Sequence, residues 1–173
     1  SVGGQLLGLA PSAERVDRAA FVGSQSGYLG HYELPWRWAY RVVMHAAIPV
    51  ATRTMGYFPS SRLGLGEDLP GGVAAQWARW CRDPAYFFAD GDGVPRDGYE
   101  RLRMPLLALG IADDTIAPRR AVDALVRVYV NAAVERVHLR PADVGLSRIG
   151  HFGFFRPSAA PAWRVASDWI TSA

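Results

Sequence analysis

The sequence of 173 residues contains no lysine. Its 19 basic side chains are all arginine, set against 16 acidic ones for a formal net charge of +3. They are scattered, with Arg119-Arg120 the one adjacent pair. A nucleic-acid reader concentrates its basic charge in a patch or stripe, so this spread argues against such a partner and for solvated arginines on several helices. Cysteine is almost absent. Cys81 alone excludes an internal disulfide and a cysteine-based zinc site, and it fits a reducing, cytoplasmic compartment. A long hydrophobic run is also missing. The nearest approach, 35–54, is broken by Arg37, Arg41, His45 and Arg53, so an amphipathic helix is expected there and not a membrane span. No fixed period marks a repeat protein. Neither a metal-ligand cluster nor a phosphate-cradling glycine loop is visible, so no cofactor is expected. What remains is 50% hydrophobic and 20% charged, an ordinary globular mixture that rules out disorder.

The apolar runs outline an α/β protein. Residues 1–10 read as a short helix behind Ser1, ended by Pro11-Ser12. Ala19–Gln25 reads as a buried strand closed by Ser26-Gly27, and Pro105–Gly110 as a strand of a parallel sheet. Pro118 opens a helix with Val122, Leu125, Val126 and Tyr129 on one face. A strand is expected at 133–139, a loop at 140–157, and a last helix over 159–171 with Ala166, Trp169 and Ile170 inward. Between the first two strands lies an aromatic-rich insertion, about 28–98. It carries helices at 35–54 and 71–82, the second with Val73, Gln76/Trp77 and Trp80/Cys81 at core-packing spacing. Alternation of strands and helices implies a parallel sheet covered on both faces.

Three short motifs carry chemistry. Ser1-Val2-Gly3-Gly4 matches the second half of a Gly-x-Ser-x-Gly nucleophile elbow leading into a helix, where the strained turn needs small neighbours. With no initiator methionine, the chain reads as cut from something longer. Asp113-Asp114 follows the apolar strand and precedes a helix. A carboxylate there can orient a histidine, or cap the helix. His151, between Gly150 and Gly153 in the expected aromatic loop, is suited to moving a proton near neutral pH. The chain order Ser, Asp, His is that of one hydrolase class and not of chymotrypsin or subtilisin.

On Ser1-Val2-Gly3-Gly4-Gln5, Gly64-Leu65-Gly66-Glu67-Asp68, Asp113–Pro118 and Gly150–Phe155, the chain resembles the C-terminal part of the α/β-hydrolase superfamily. It is most similar to bacterial hydrolases of the serine-aminopeptidase and lipase-like branch. The resemblance covers essentially the whole chain and implies a partial hydrolase domain, 1–173, with a helical lid at about 28–98. It implies Ser1 as nucleophile, His151 as base, Asp114 as acid (Asp113 as runner-up), and the Val2 N–H as one oxyanion donor. The family's strands before the elbow, and the second oxyanion donor they bring, are not in these residues. A glycine two positions before Ser1, with histidine between, is expected upstream. The implied partner is a small-molecule acyl substrate, an ester more than a peptide. Aromatic side chains of the insertion (Trp36, Trp38, Tyr40, Tyr57, Phe58, Trp77, Trp80, Tyr86, Phe87, Phe88) wall its pocket or hold the lid together. Oligomeric state stays open.

Other readings fit less well. Self-cleaving amidases also use a terminal serine, but theirs begins a strand, whereas Gly3-Gly4 leads into a helix. A dehalogenase has aspartate at the nucleophile. An acyltransferase would share the triad. A non-catalytic binding module derived from a hydrolase is the contrasting class, because a sheet cut beside the elbow strand exposes an edge.

Overall fold

Pro105-Leu106-Leu107-Ala108-Leu109-Gly110-Ile111 offers no polar side chain to solvent, and such a strand is stable when both faces are covered. In the computed structural model, which describes residues 1–64, 66–89 and 94–172, this segment is the middle strand of a three-stranded parallel sheet. In chain order the elements are α1 (Gly3–Leu6), β1 (Ala19–Val22), α2 (Trp36–Val42), α3 (Ile48–Met55), β2 (Tyr57–Phe58) and β3 (Leu69–Pro70). They continue with α4 (Gly71–Arg82), α5 (Asp97–Arg101), β4 (Pro105–Ile111), α6 (Arg119–Val126), β5 (Ala133–Leu139), α7 (Gly150–Gly153) and α8 (Ala160–Thr171). The chain divides into two compact units, one of Ser1–Ser26 with Pro95–Ala173 and one of Gly27–Val94.

The first unit is α/β. Its sheet runs β1-β4-β5, with Phe21 level with Ala108 and Leu109 level with Val137. Side chains alternate across a strand, so β4 serves two cores. Leu107, Leu109 and Ile111 pack with Ala162 of α8, and Val165, Ala166 and Trp169 lie against the same cluster. On the other face, Val122 of α6 approaches Gly110, and Phe21 meets Tyr129 edge-on at 5.3 Å. Trp169 closes its side by donating to Glu135 (2.7 Å), with the Arg18 guanidinium 4.6 Å over its ring. Ile170, expected inward, is exposed. The buried stripe is Ala162, Val165/Ala166 and Trp169, at helical spacing, and Ile170 falls one residue off it. The expected strand 19–25 stops at Val22, because Gly23 turns the backbone to φ +58°.

Helix α1 is a single turn, and its hold on the body comes from outside it. Buried hydroxyls of Tyr129 and Tyr99 donate to the carbonyls of Gly4 (2.7 Å) and Gln5 (2.6 Å). Burial raises both phenols, Tyr99 to about 12, so at neutral pH both keep the proton they donate. The Gln5 amide adds a bond to the Gln25 carbonyl at 2.9 Å. Gly4 is required by space, since a Cβ there would overlap the side chains of Ser24 and Phe21.

The second unit is helical, with one short antiparallel pair, β2 and β3. The expected helix 35–54 forms as α2 and α3 joined by a π-type turn, Val43–Ala47, and it ends where Gly56 adopts φ +77°. Helix α4 has the expected bounds but a different buried stripe. Ala74, Ala78 and Cys81 are buried and Val73 is exposed, because small alanines let α3 and α4 approach closely. Burial pushes the Cys81 thiol up to about 12 and keeps it protonated. Trp80, Tyr86 and Phe87 stack edge-on, and Tyr86, Phe87 and Phe88 are buried within this unit, whereas Trp36 and Trp38 are exposed. Leu65, part of one motif named above, lies outside the described residues. Among the described residues no helix is long and apolar enough to cross a membrane.

Candidate active site

Parallel strands bring their carboxyl ends to one edge of the sheet, where open α/β sheets build sites. Gly23 follows β1 at that edge, Asp113 and Asp114 follow β4, and His151 lies beyond β5. Asp114 is fixed before any partner arrives. Its N–H donates to the Ile111 carbonyl (3.1 Å), and its Oδ1 accepts the N–H groups of Ile116 and Ala117, both at 2.8 Å. These two bonds form the tight turn into α6. The Asp114 side chain is 0% exposed, so its other oxygen also needs a donor. His151 provides it. Its Nδ1–H donates to Asp114 Oδ2 at 2.7 Å. A carboxylate only accepts, so Nδ1 carries a proton, and in the neutral ring Nε2 keeps its lone pair.

His151 stands on α7, one helical turn inside the segment expected to be loop. Ile149 and Phe154, which bracket the turn, are buried in the cluster of Leu107 and Leu109. Asp113 faces this turn and not the imidazole. Its carboxylate accepts the N–H groups of Ile149 and Gly150, each at 2.9 Å. The two neighbouring carboxylates thus have separate partners.

Gly23 is a site residue that sequence reasoning passed over. A Cβ there would stand 3.3 Å from His151 Cε1 and 3.5 Å from Asp114 Oδ2, and its φ of +58° disfavours any side chain. The available signal was a glycine directly after an apolar strand run.

Ser1 and Val2 lie at the entry to α1, and both are exposed. The Val2 carbonyl accepts from Gln5 (2.8 Å) and Leu6 (3.1 Å), while its N–H, in the first turn, has no intrahelical acceptor. Among the described residues no hydrogen bond joins the Ser1 hydroxyl to His151. The structure therefore brings Asp114 and His151 into direct contact and sets Ser1 at the entry to α1.

No family model matches this chain, and no curated protein matches it. Solved structures similar to it over 99% of its length include two from Mycobacterium tuberculosis. BpoC from Mycobacterium tuberculosis H37Rv, which carries the name of a non-heme bromoperoxidase, is 15% identical with a TM-score of 0.49. Rv0554 from Mycobacterium tuberculosis is 14% identical with a TM-score of 0.48. The chain spans 64% and 62% of those two proteins, less than two thirds of either.

Proposed function

We propose that these residues are the nucleophile-to-histidine part of a serine hydrolase of the α/β-hydrolase superfamily, in the serine-aminopeptidase and lipase-like branch, acting on an ester or related acyl substrate. The observation that carries this reading is the 2.7 Å bond between His151 and a fully buried Asp114 at the carboxyl edge of a parallel sheet. Ser1 Oγ attacks the acyl carbonyl and passes its proton to His151 Nε2. Asp114 holds the ring in the tautomer that can accept this proton and stabilises the imidazolium that results. The Val2 N–H donates to the oxyanion. Collapse of the tetrahedral intermediate expels the alcohol, which takes the proton from His151 and leaves Ser1 acylated. Water, deprotonated by His151, then attacks the acyl-serine; the acyl–Oγ bond breaks, Ser1 Oγ takes the proton back from His151, and the carboxylic acid is released. In this reading the Gly27–Val94 unit is a lid inserted between β1 and β4. Its buried Tyr86, Phe87 and Phe88 hold it together, and Trp36 and Trp38 are exposed.

The test is hydrolysis of nitrophenyl esters of short and medium acyl chains by the natural full-length protein that carries these residues. Ser1→Ala is expected to lower turnover by about 10⁴-fold or more. Equal hydrolysis by wild type and variant would overturn the assignment.

A further inference from the structure

The base of the dyad stands on a segment that cannot hold itself. Helix α7 is four residues long, and a single helical turn fixes several dihedrals for one hydrogen bond, so it is unfavourable alone. Its entry is also bent. Ile149 lies at φ −127° and ψ −62°, and Gly150 at φ +64°. No side chain of the segment caps the turn. The cap comes from 37 residues earlier in the chain, where Asp113 takes the Gly150 N–H on Oδ1 and the Ile149 N–H on Oδ2, both at 2.9 Å. Bonds from N–H groups to a carboxylate are about twice as strong as neutral ones. Asp113 is anchored in turn by its neighbour, because Asp114 ties the same loop to α6 through Ile116 and Ala117.

We infer that Asp113 is a positioning residue for His151: by clamping the Ile149 and Gly150 amides it fixes α7, and through it the imidazole, against Asp114. This rests on the hydrolase reading for its catalytic consequence but not for its structural one. The acidic pair then divides one task. One carboxylate holds the ring and the other holds the backbone beneath it. Ile149 and Phe154 bury the flanks of the turn, but apolar contacts set no backbone direction, which the paired N–H bonds do.

The experiment compares Asp113→Ala and Asp113→Asn with wild type in the natural full-length protein. Three things are measured: amide exchange at Gly150, the far-downfield proton signal of His151 Nδ1–H, and ester hydrolysis. For Asp113→Ala we expect faster Gly150 exchange and loss or broadening of the Nδ1–H signal. We expect kcat to fall by about 10–100-fold with KM changed little, the effect of a misplaced catalytic group. Asparagine keeps one acceptor and should be intermediate in all three. A purely structural cap would lower stability and leave the Nδ1–H signal of the folded protein unchanged. That result in Asp113→Asn would overturn the inference even if Asp113→Ala does not fold. If wild type hydrolyses no ester, the hydrolase reading falls, and the exchange and Nδ1–H measurements still decide the role of Asp113.

Discussion

Asp114→Asn is expected to cut ester turnover by about 10⁴-fold while the protein stays folded. The asparagine carbonyl can still accept from Ile116 and Ala117, so the turn into α6 survives. Its NH₂ group then faces His151 Nδ1, where the carboxylate had accepted a proton at 2.7 Å. The imidazole answers by moving its proton to Nε2. That nitrogen is the one that must take the serine proton, so the base is lost although every atom keeps its place. Turning the amide over does not help, because the NH₂ would then point at two backbone N–H groups. The measurement is kcat alongside a thermal unfolding curve. A variant that melts like wild type and turns over within tenfold of it would deny Asp114 its role.

Leu109→Ala should lower stability by about 3 kcal/mol, within the ~2–5 kcal/mol typical of a buried leucine reduced to alanine. Leu109 is 0% exposed and sits with Leu107, Ile149, Phe154 and Ala162. The loss is a large fraction of the ~5–15 kcal/mol that ordinarily holds a protein folded. It also reaches the site, because this cluster seats both flanks of α7 and the Leu109 carbonyl accepts the Gly23 N–H at 2.9 Å. Urea unfolding checks it, with a lower midpoint and an unchanged slope. Val73→Ala is the contrast, since an exposed side chain should change stability by no more than about 0.5 kcal/mol.

Much of the α/β unit was legible because its signals are local. Pro105–Ile111 has no polar side chain, and an unbroken apolar run bounded by turn residues has few other uses. The strand at 133–139 and the helix at 71–82 formed at the expected bounds. What stayed hidden depends on neighbours distant in sequence. The buried stripe of α4 follows from alanines that admit α3, and no periodicity within α4 distinguishes those alanines from Val73. His151 looked like a loop residue because its segment has weak helical propensity and two glycines. Its helical turn is imposed by Asp113, far upstream. The same distance concealed Gly23, whose missing side chain matters only once His151 and Asp114 come to lie against it. Ser1, Asp114 and His151 were candidates from residue type, chain order and resemblance, and the structure joins the last two by a hydrogen bond. How the two aspartates share their work was not legible, because either of two adjacent carboxylates would satisfy the pattern.

The most direct measurement is the site of covalent capture. The natural full-length protein is treated with a fluorophosphonate, which phosphonylates a serine activated by a histidine base, and the adduct is located by peptide mass. The account predicts one stoichiometric adduct, on Ser1, absent from Ser1→Ala and strongly slowed in His151→Ala. An adduct on another serine, such as buried Ser24, or no adduct on protein that still hydrolyses esters, would contradict it.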